Sequence, residues 1–216
     1  FLLNRSSDLE IEKTDYANFT DSEIRKQVVD FALSILDEKT TYKNTAKIEP
    51  GTRDSNGRMQ FDCSGFTSYV LNAVMQAYIP SYDLSNGIEA QEDGGLLYTD
   101  KNGDFTAASV CKGKPDFSKL QPGDLVFFDD NDKVKGDCDH VGIYIGNKEF
   151  IHSVSTIDGV CVMPMGSGRY YERFLFARRF VPDSAPEPMN ETMYVESPWT
   201  TGVKVYQDTR FNNPIS

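Results

Sequence analysis

Between Leu125 and Val181 the chain breaks into short apolar runs joined by connections of three to eleven residues, and this most constrains the fold. A parallel crossover needs a dozen or more residues, usually with a helix, so runs joined this tightly must pair antiparallel. Leu125–Phe128 is continuously apolar behind a Pro122-Gly123-Asp124 turn, in which Asp124 is expected to hold backbone N–H groups. In His140–Ile145, Val141, Ile143 and Ile145 alternate onto one face. Glu149–Val154, Gly159–Met163 and Phe174–Val181 complete the series, which reads as an antiparallel meander.

Upstream the period is helical. Thr20-Asp21-Ser22-Glu23 is a capping box, and Ile24, Val28, Phe31, Ala32 and Ile35 follow at helical spacing to about Lys39. Thr40–Gln60 is polar and turn-rich, a loop with one short strand at most. Asp62 caps a second helix predicted from Cys63 to Tyr78, with Phe66, Tyr69, Val70, Ala73, Val74 and Ala77 on one face, before Pro80. Residues 81–118 read as a long irregular segment, of a kind that is usually functional or mobile. Helices first and sheet second make an α+β chain. The domain reading is an arm at 1–19, a catalytic domain at 20–181 and an extension at 182–216, with Met193–Val195 and Val203–Tyr206 as a further strand pair.

The 216 residues suffice for one ordinary domain, and 39% hydrophobic content fills a core. With 33 acidic against 22 basic residues and a net charge of −11, the chain is a poor partner for nucleic acid or an anionic membrane surface. No apolar run is long enough to span a bilayer. Because Phe1 and not Met comes first, the native start, with any signal or anchor, is expected upstream. The sequence leaves the oligomeric state open.

Four cysteines and two histidines carry most of the available chemistry. Cys63, at a helix start, meets unpaired N–H groups and the positive end of the dipole, an arrangement expected to favour the nucleophilic thiolate and to hold an oxyanion. A buried structural cysteine is the bland alternative. His140 and His152 fall on one predicted hairpin, twelve residues apart. Directly opposed residues in such a pair have a constant index sum. A two-residue turn makes that sum odd and puts the imidazoles on opposite faces. An odd loop or a bulge makes it even, with His152 opposite Gly142 and diagonal to His140 at about 7–8 Å between backbones. In that register His140 serves as base and His152 as its orienting partner, with open space over Gly142. Two half-exposed strand histidines are the competing reading. A zinc site from Cys63, Cys138, His140 and His152 is a further alternative, disfavoured because Cys138 and His140 diverge from one centre. Cys111 and Cys138 would bond only if the long segment folds back. Asn4, Asn18 and Asn190 open glycosylation-like triplets of low specificity, and Asp129–Asp132 is a solvated loop and not a calcium site.

Phe61-Asp62-Cys63-Ser64-Gly65-Phe66 resembles the nucleophile motif of the NlpC/P60 cell-wall cysteine peptidases. Leu120–Phe128, His140–Gly146 with Phe150-Ile151-His152-Ser153, and Phe176–Phe180 resemble that family's later motifs in the same order. The resemblance implies a papain-like α+β fold with the cysteine helix packed on an antiparallel sheet. It implies hydrolysis of peptidoglycan stem-peptide amides, often between D-glutamate and a diamino acid, without metal or cofactor, by a bacterial protein outside the cell or at its wall. By motif position Cys63 is the nucleophile, His140 the base and His152 the third residue, with Asp62, Ser64 and Tyr42 contacting a substrate amine or lining the site. Lys43-Asn44-Thr45 stand where the family has a glycine pair, and 81–118 is longer than its pattern. A catalytically silent wall-binding module on the same fold is the remaining alternative.

Overall fold

The computed structural model describes residues 21–44, 49–100, 103–130 and 135–182. Thr20 of the capping box, the 1–19 arm, the 183–216 tail with its expected strand pair, and the three glycosylation-like asparagines lie outside the described residues.

Helix α1 (Asp21–Ser34) ends in a 3-10 turn at Ile35–Asp37, and its apolar stripe of Ile24, Val28, Phe31, Ala32 and Ile35 is buried. Helix α2 (Cys63–Met75) stops three residues short of the expected end, and nearly every residue in it is buried. A helix buried on every side belongs at the centre of a fold, and α2 packs on α1 and across the main sheet, with its buried Ser64, Thr67, Ser68 and Asn72 side chains hydrogen-bonded. The turn-rich segment before it holds two strands rather than one. β1 (Thr40–Tyr42) and β2 (Met59–Phe61) pair in parallel, setting Tyr42 beside Phe61.

The expected irregular segment is largely ordered. It contains α3 (Ile88–Asp93), a hairpin of β3 (Leu96–Asp100) and β4 (Gly103–Thr106), and β5 (Ala108–Lys112). Gln91, fully buried, donates to the Ser64 and Ser85 carbonyls at 2.9 and 2.7 Å and accepts from Thr67 Oγ1 at 2.7 Å. Those bonds replace the apolar periodicity that a short helix lacks, which is why its pattern was silent.

The main sheet joins β5 to β6 (Leu125–Phe128), β7 (His140–Gly146), β8 (Glu149–Val154), β9 (Gly159–Pro164) and β10 (Phe174–Arg179). Every pairing in it is antiparallel, but the order β5-β10-β6-β7-β8-β9 corrects the simple meander. After β9, the short helix α4 (Arg169–Glu172) carries the chain back, and β10 inserts between β5 and β6. Asp124 locks that closure. Its buried carboxylate takes the Gln121 N–H at 2.8 Å, Arg179 at 2.9 and 3.0 Å and Arg25 of α1 at 3.5 Å. The turn-holding role expected of Asp124 is present, and the two arginines are added to it. No helix among the described residues is long and apolar enough to cross a membrane.

Candidate active site

Asp62 caps α2 through a 2.8 Å hydrogen bond from the Gly65 N–H to its Oδ1, which fixes Cys63 at the first helical position. The preceding segment is clamped to the sheet, with Ser153 Oγ of β8 donating to the Phe61 carbonyl at 3.0 Å. The β7–β8 ladder runs from Gly146↔Glu149 to Ile143↔Ile151. Nearer the start of β7, the Val141 backbone favours the charged form of the Cys63 sulfur, as do the backbones of Ser64 and Cys63. The thiol therefore lies against the residue that follows His140.

The hairpin resolves the face problem with a bulge. Asn147 and Lys148 form a two-residue turn with φ of 51° and 61°, and the register slips between Tyr144 and Gly146. The body of the ladder thus has the even sum of Ile143↔Ile151 and Tyr144↔Phe150. Both imidazoles share a face, and His140 Nε2 lies 2.5 Å from His152 Nδ1 with the rings edge-on. The space expected over Gly142 is filled, because a Cβ there would meet Phe150 Cδ2 at 2.5 Å, the Ile151 carbonyl at 2.9 Å and His152 Cβ at 3.1 Å. Glycine admits the imidazole of His152 to this face rather than leaving a void.

The electrostatics reverse one expectation. Burial first, and then the Asp62 charge, push the Cys63 thiol up to about 12, outweighing the backbone donors that favour a thiolate. Burial also lowers His140, to about 4, with Asp130 and Asp139 opposing it and Arg169 adding to it. His152 is lowered as well, by burial and then by His140. The resting pair is a neutral thiol and a neutral base. With Nε2 of His140 engaged by His152, Nδ1 is the nitrogen left to take the thiol proton.

Of the residues expected around substrate, Tyr42 stands on β1, half-buried. Its phenol is raised to about 12 by burial, and then by Cys63 and Asp62, which places the hydroxyl in the field of both. Its backbone N–H is held by Asp158 Oδ1 at 3.0 Å. Ser64 is buried and its hydroxyl donates to the Asn86 carbonyl at 2.8 Å, fastening the 81–95 segment to the nucleophile helix.

Two neighbours were not anticipated. Tyr170 of α4 lies over both imidazoles, at 6.3 Å and near-parallel to His140 and at 5.4 Å edge-on to His152, with Phe128 and Phe150 also against it. Arg169 holds α4 in place through Asp130 at 2.7 Å. Cys161 Sγ lies 3.5 Å from His152 Nε2, since His152 and Cys161 are directly opposed in the β8–β9 ladder. A four-residue loop between Val154 and Gly159 fixes that pairing, and the index-sum argument applied to the second hairpin would have found it. Tyr170 offers no comparable signal, because a one-turn helix has no periodicity to read.

All four cysteines are free thiols, so the suggested Cys111–Cys138 bridge is not formed. Among the described residues no group of three or more His, Cys, Asp or Glu side chains is arranged to hold a metal ion.

The profile of the NlpC/P60 family matches residues 49–179, more than half the chain. This chain belongs to the NlpC/P60 family. It is 34% identical over 122 residues to a gamma-D-glutamyl-L-lysine dipeptidyl-peptidase of Bacillus cereus, covering 56% of this chain and 29% of that one. It is 30% identical over 125 residues to the murein DD-endopeptidase MepH of Escherichia coli, covering 58% and 38%. The chain thus spans well under half the length of these relatives. Among solved structures, NlpC2 from Trichomonas vaginalis superposes with a TM-score of 0.51 at 18% identity, covering 78% of this chain and 50% of that one, and shares the α+β fold.

Proposed function

We propose that the chain is a cysteine peptidase hydrolysing amide bonds in peptidoglycan stem peptides, with Cys63 as nucleophile, His140 as base and His152 as orienting residue. The observation that carries this reading is the 2.5 Å contact from His140 Nε2 to His152 Nδ1, on a strand whose next residue, Val141, favours a charge on the Cys63 sulfur through its backbone. His140 Nδ1 withdraws the thiol proton as the sulfur attacks the amide carbonyl, so thiolate forms only during attack. Backbone N–H groups at the start of α2 receive the charge developing on the carbonyl oxygen. The imidazolium then protonates the departing amine, and water, activated by the same nitrogen, hydrolyses the thioester. No metal or organic cofactor enters this sequence.

The two curated relatives are named for different bonds. We assign the bond between D-glutamate and the diamino acid. The Asp62 carboxylate and the Tyr42 phenol, both in the field of Cys63, would supply acceptors for a substrate ammonium, with the Ser64 hydroxyl oxygen, which donates its hydrogen to the Asn86 carbonyl, as a third. Action outside the cell or at its wall follows from such a substrate. The test is mass spectrometry of products from defined stem peptides, with and without a free amino terminus. Scission after D-glutamate, lost when the amine is blocked, is expected. Cleavage insensitive to blocking contradicts the amine pocket, and no cleavage of any stem peptide points to a wall-binding module.

A further inference from the structure

The contact between His140 and His152 holds one proton, and where that proton sits decides whether the pair can act. Burial keeps both rings neutral, so each carries a single N–H. Two arrangements are possible. If His140 Nε2 donates to His152 Nδ1, then His140 Nδ1 is bare and can accept the Cys63 proton, and His152 must carry its hydrogen on Nε2. If His152 Nδ1 donates instead, then His140 Nδ1 already holds a hydrogen and cannot serve as a base, and His152 Nε2 is bare. Whatever faces His152 Nε2 therefore biases the chemistry at Cys63, two rings away.

The group facing it is Cys161 Sγ, at 3.5 Å, within reach of a hydrogen bond to sulfur. It is placed there by the direct His152↔Cys161 pairing of β8 and β9. We infer that Cys161 is a positioning residue of this site: with its own S–H directed away, its sulfur accepts the Nε2–H of His152 and favours the tautomer pair in which His140 Nδ1 is the base, whereas a thiol donating to Nε2 would favour the opposite pair. The sulfur touches neither substrate nor nucleophile and acts only through His152. Tyr170 supports the same arrangement sterically, since it packs edge-on to His152 and near-parallel to His140 and restrains both rings.

The inference rests on the proposed roles of His140 and His152, but its main readout does not depend on turnover. Nitrogen-15 shifts of the two imidazoles near pH 7 report which nitrogen of each ring is protonated. In the wild type, His152 is expected to be protonated at Nε2 and His140 at Nε2. Cys161→Ala removes the acceptor and should mix the tautomers, lowering kcat by roughly fivefold to tenfold, the worth of one modest hydrogen bond, with KM little changed. Cys161→Ser retains an acceptor oxygen and should restore both the wild-type shifts and kcat. A bare His152 Nε2 in the wild type overturns the inference, as do unchanged shifts and kcat in Cys161→Ala. Undiminished cleavage by Cys63→Ala would instead remove the proposed mechanism, leaving the tautomer assignment to stand or fall on the spectra.

Discussion

Cys63 combines two opposed influences, and their balance sets how its reactivity should be measured. The amides at the start of α2 and at Val141 favour a thiolate, yet burial and Asp62 win and hold the thiol at about 12. Alkylation of Cys63 by iodoacetamide, followed by peptide mapping, should therefore rise continuously from pH 7 to 10. A plateau below pH 8 would reveal a preformed ion pair instead. The His140 shift runs the other way. A base lowered to about 4 stays unprotonated through the ordinary imidazole range, so the acid limb of kcat/KM should fall well below pH 6.5. These two residues also show the limits of reading the chain alone. Motif and helix start located Cys63, but the sign of its shift depends on burial from elements far away in sequence. Asp62 was legible as a cap because its partner is three residues on, whereas the Ser64 bond to Asn86 spans twenty-two.

The β7–β8 hairpin is the element that makes the site, because its bulge converts a two-residue turn into a register with both imidazoles on one face. The requirement for an odd loop or bulge was visible in the index arithmetic, while the choice of bulge was not. Gly142 is the position most exposed to a small change. A methyl there would press on Phe150, the Ile151 carbonyl and His152 at 2.5–3.1 Å, and a backbone atom cannot swing aside. Gly142→Ala is expected to cost about 1–3 kcal/mol in denaturant unfolding and to reduce kcat by displacing His152. A variant as stable and active as the wild type would mean that the hairpin relaxes freely. Strands β6 to β10 were legible as short apolar or alternating runs, whereas β5 lay inside the segment read as irregular. The α3 and β3–β4 elements were not legible, because hydrogen bonds from Gln91 and the stacked Tyr98 and Phe105 rings hold them rather than a periodic apolar face.

Across the whole molecule, the return of β10 between β5 and β6 brings the end of the domain against α1, and Asp124 ties these parts with Arg25 and Arg179. Removing one member of a buried ionic cluster strands the others, so Asp124→Ala should lose about 3–5 kcal/mol by thermal or chemical unfolding. A loss under about 1 kcal/mol would show that the cluster is dispensable. Strand order of this kind is a long-range decision that local pattern does not encode, which is why the sheet was legible as antiparallel but not in its sequence of neighbours. The buried histidines also give stability a pH dependence. Their folded values lie below the unfolded imidazole value, so the unfolded chain binds more protons as pH drops, and the melting temperature should decline from about pH 6.5 towards 4. The most direct measurement follows cleavage of a γ-D-glutamyl-diamino acid stem peptide by rapid-quench intact-mass spectrometry. The wild type should show a transient acyl adduct on Cys63, and Cys63→Ala should show neither adduct nor product above a residue at least about 10³-fold slower. Product formed by Cys63→Ala at the wild-type rate would contradict the account.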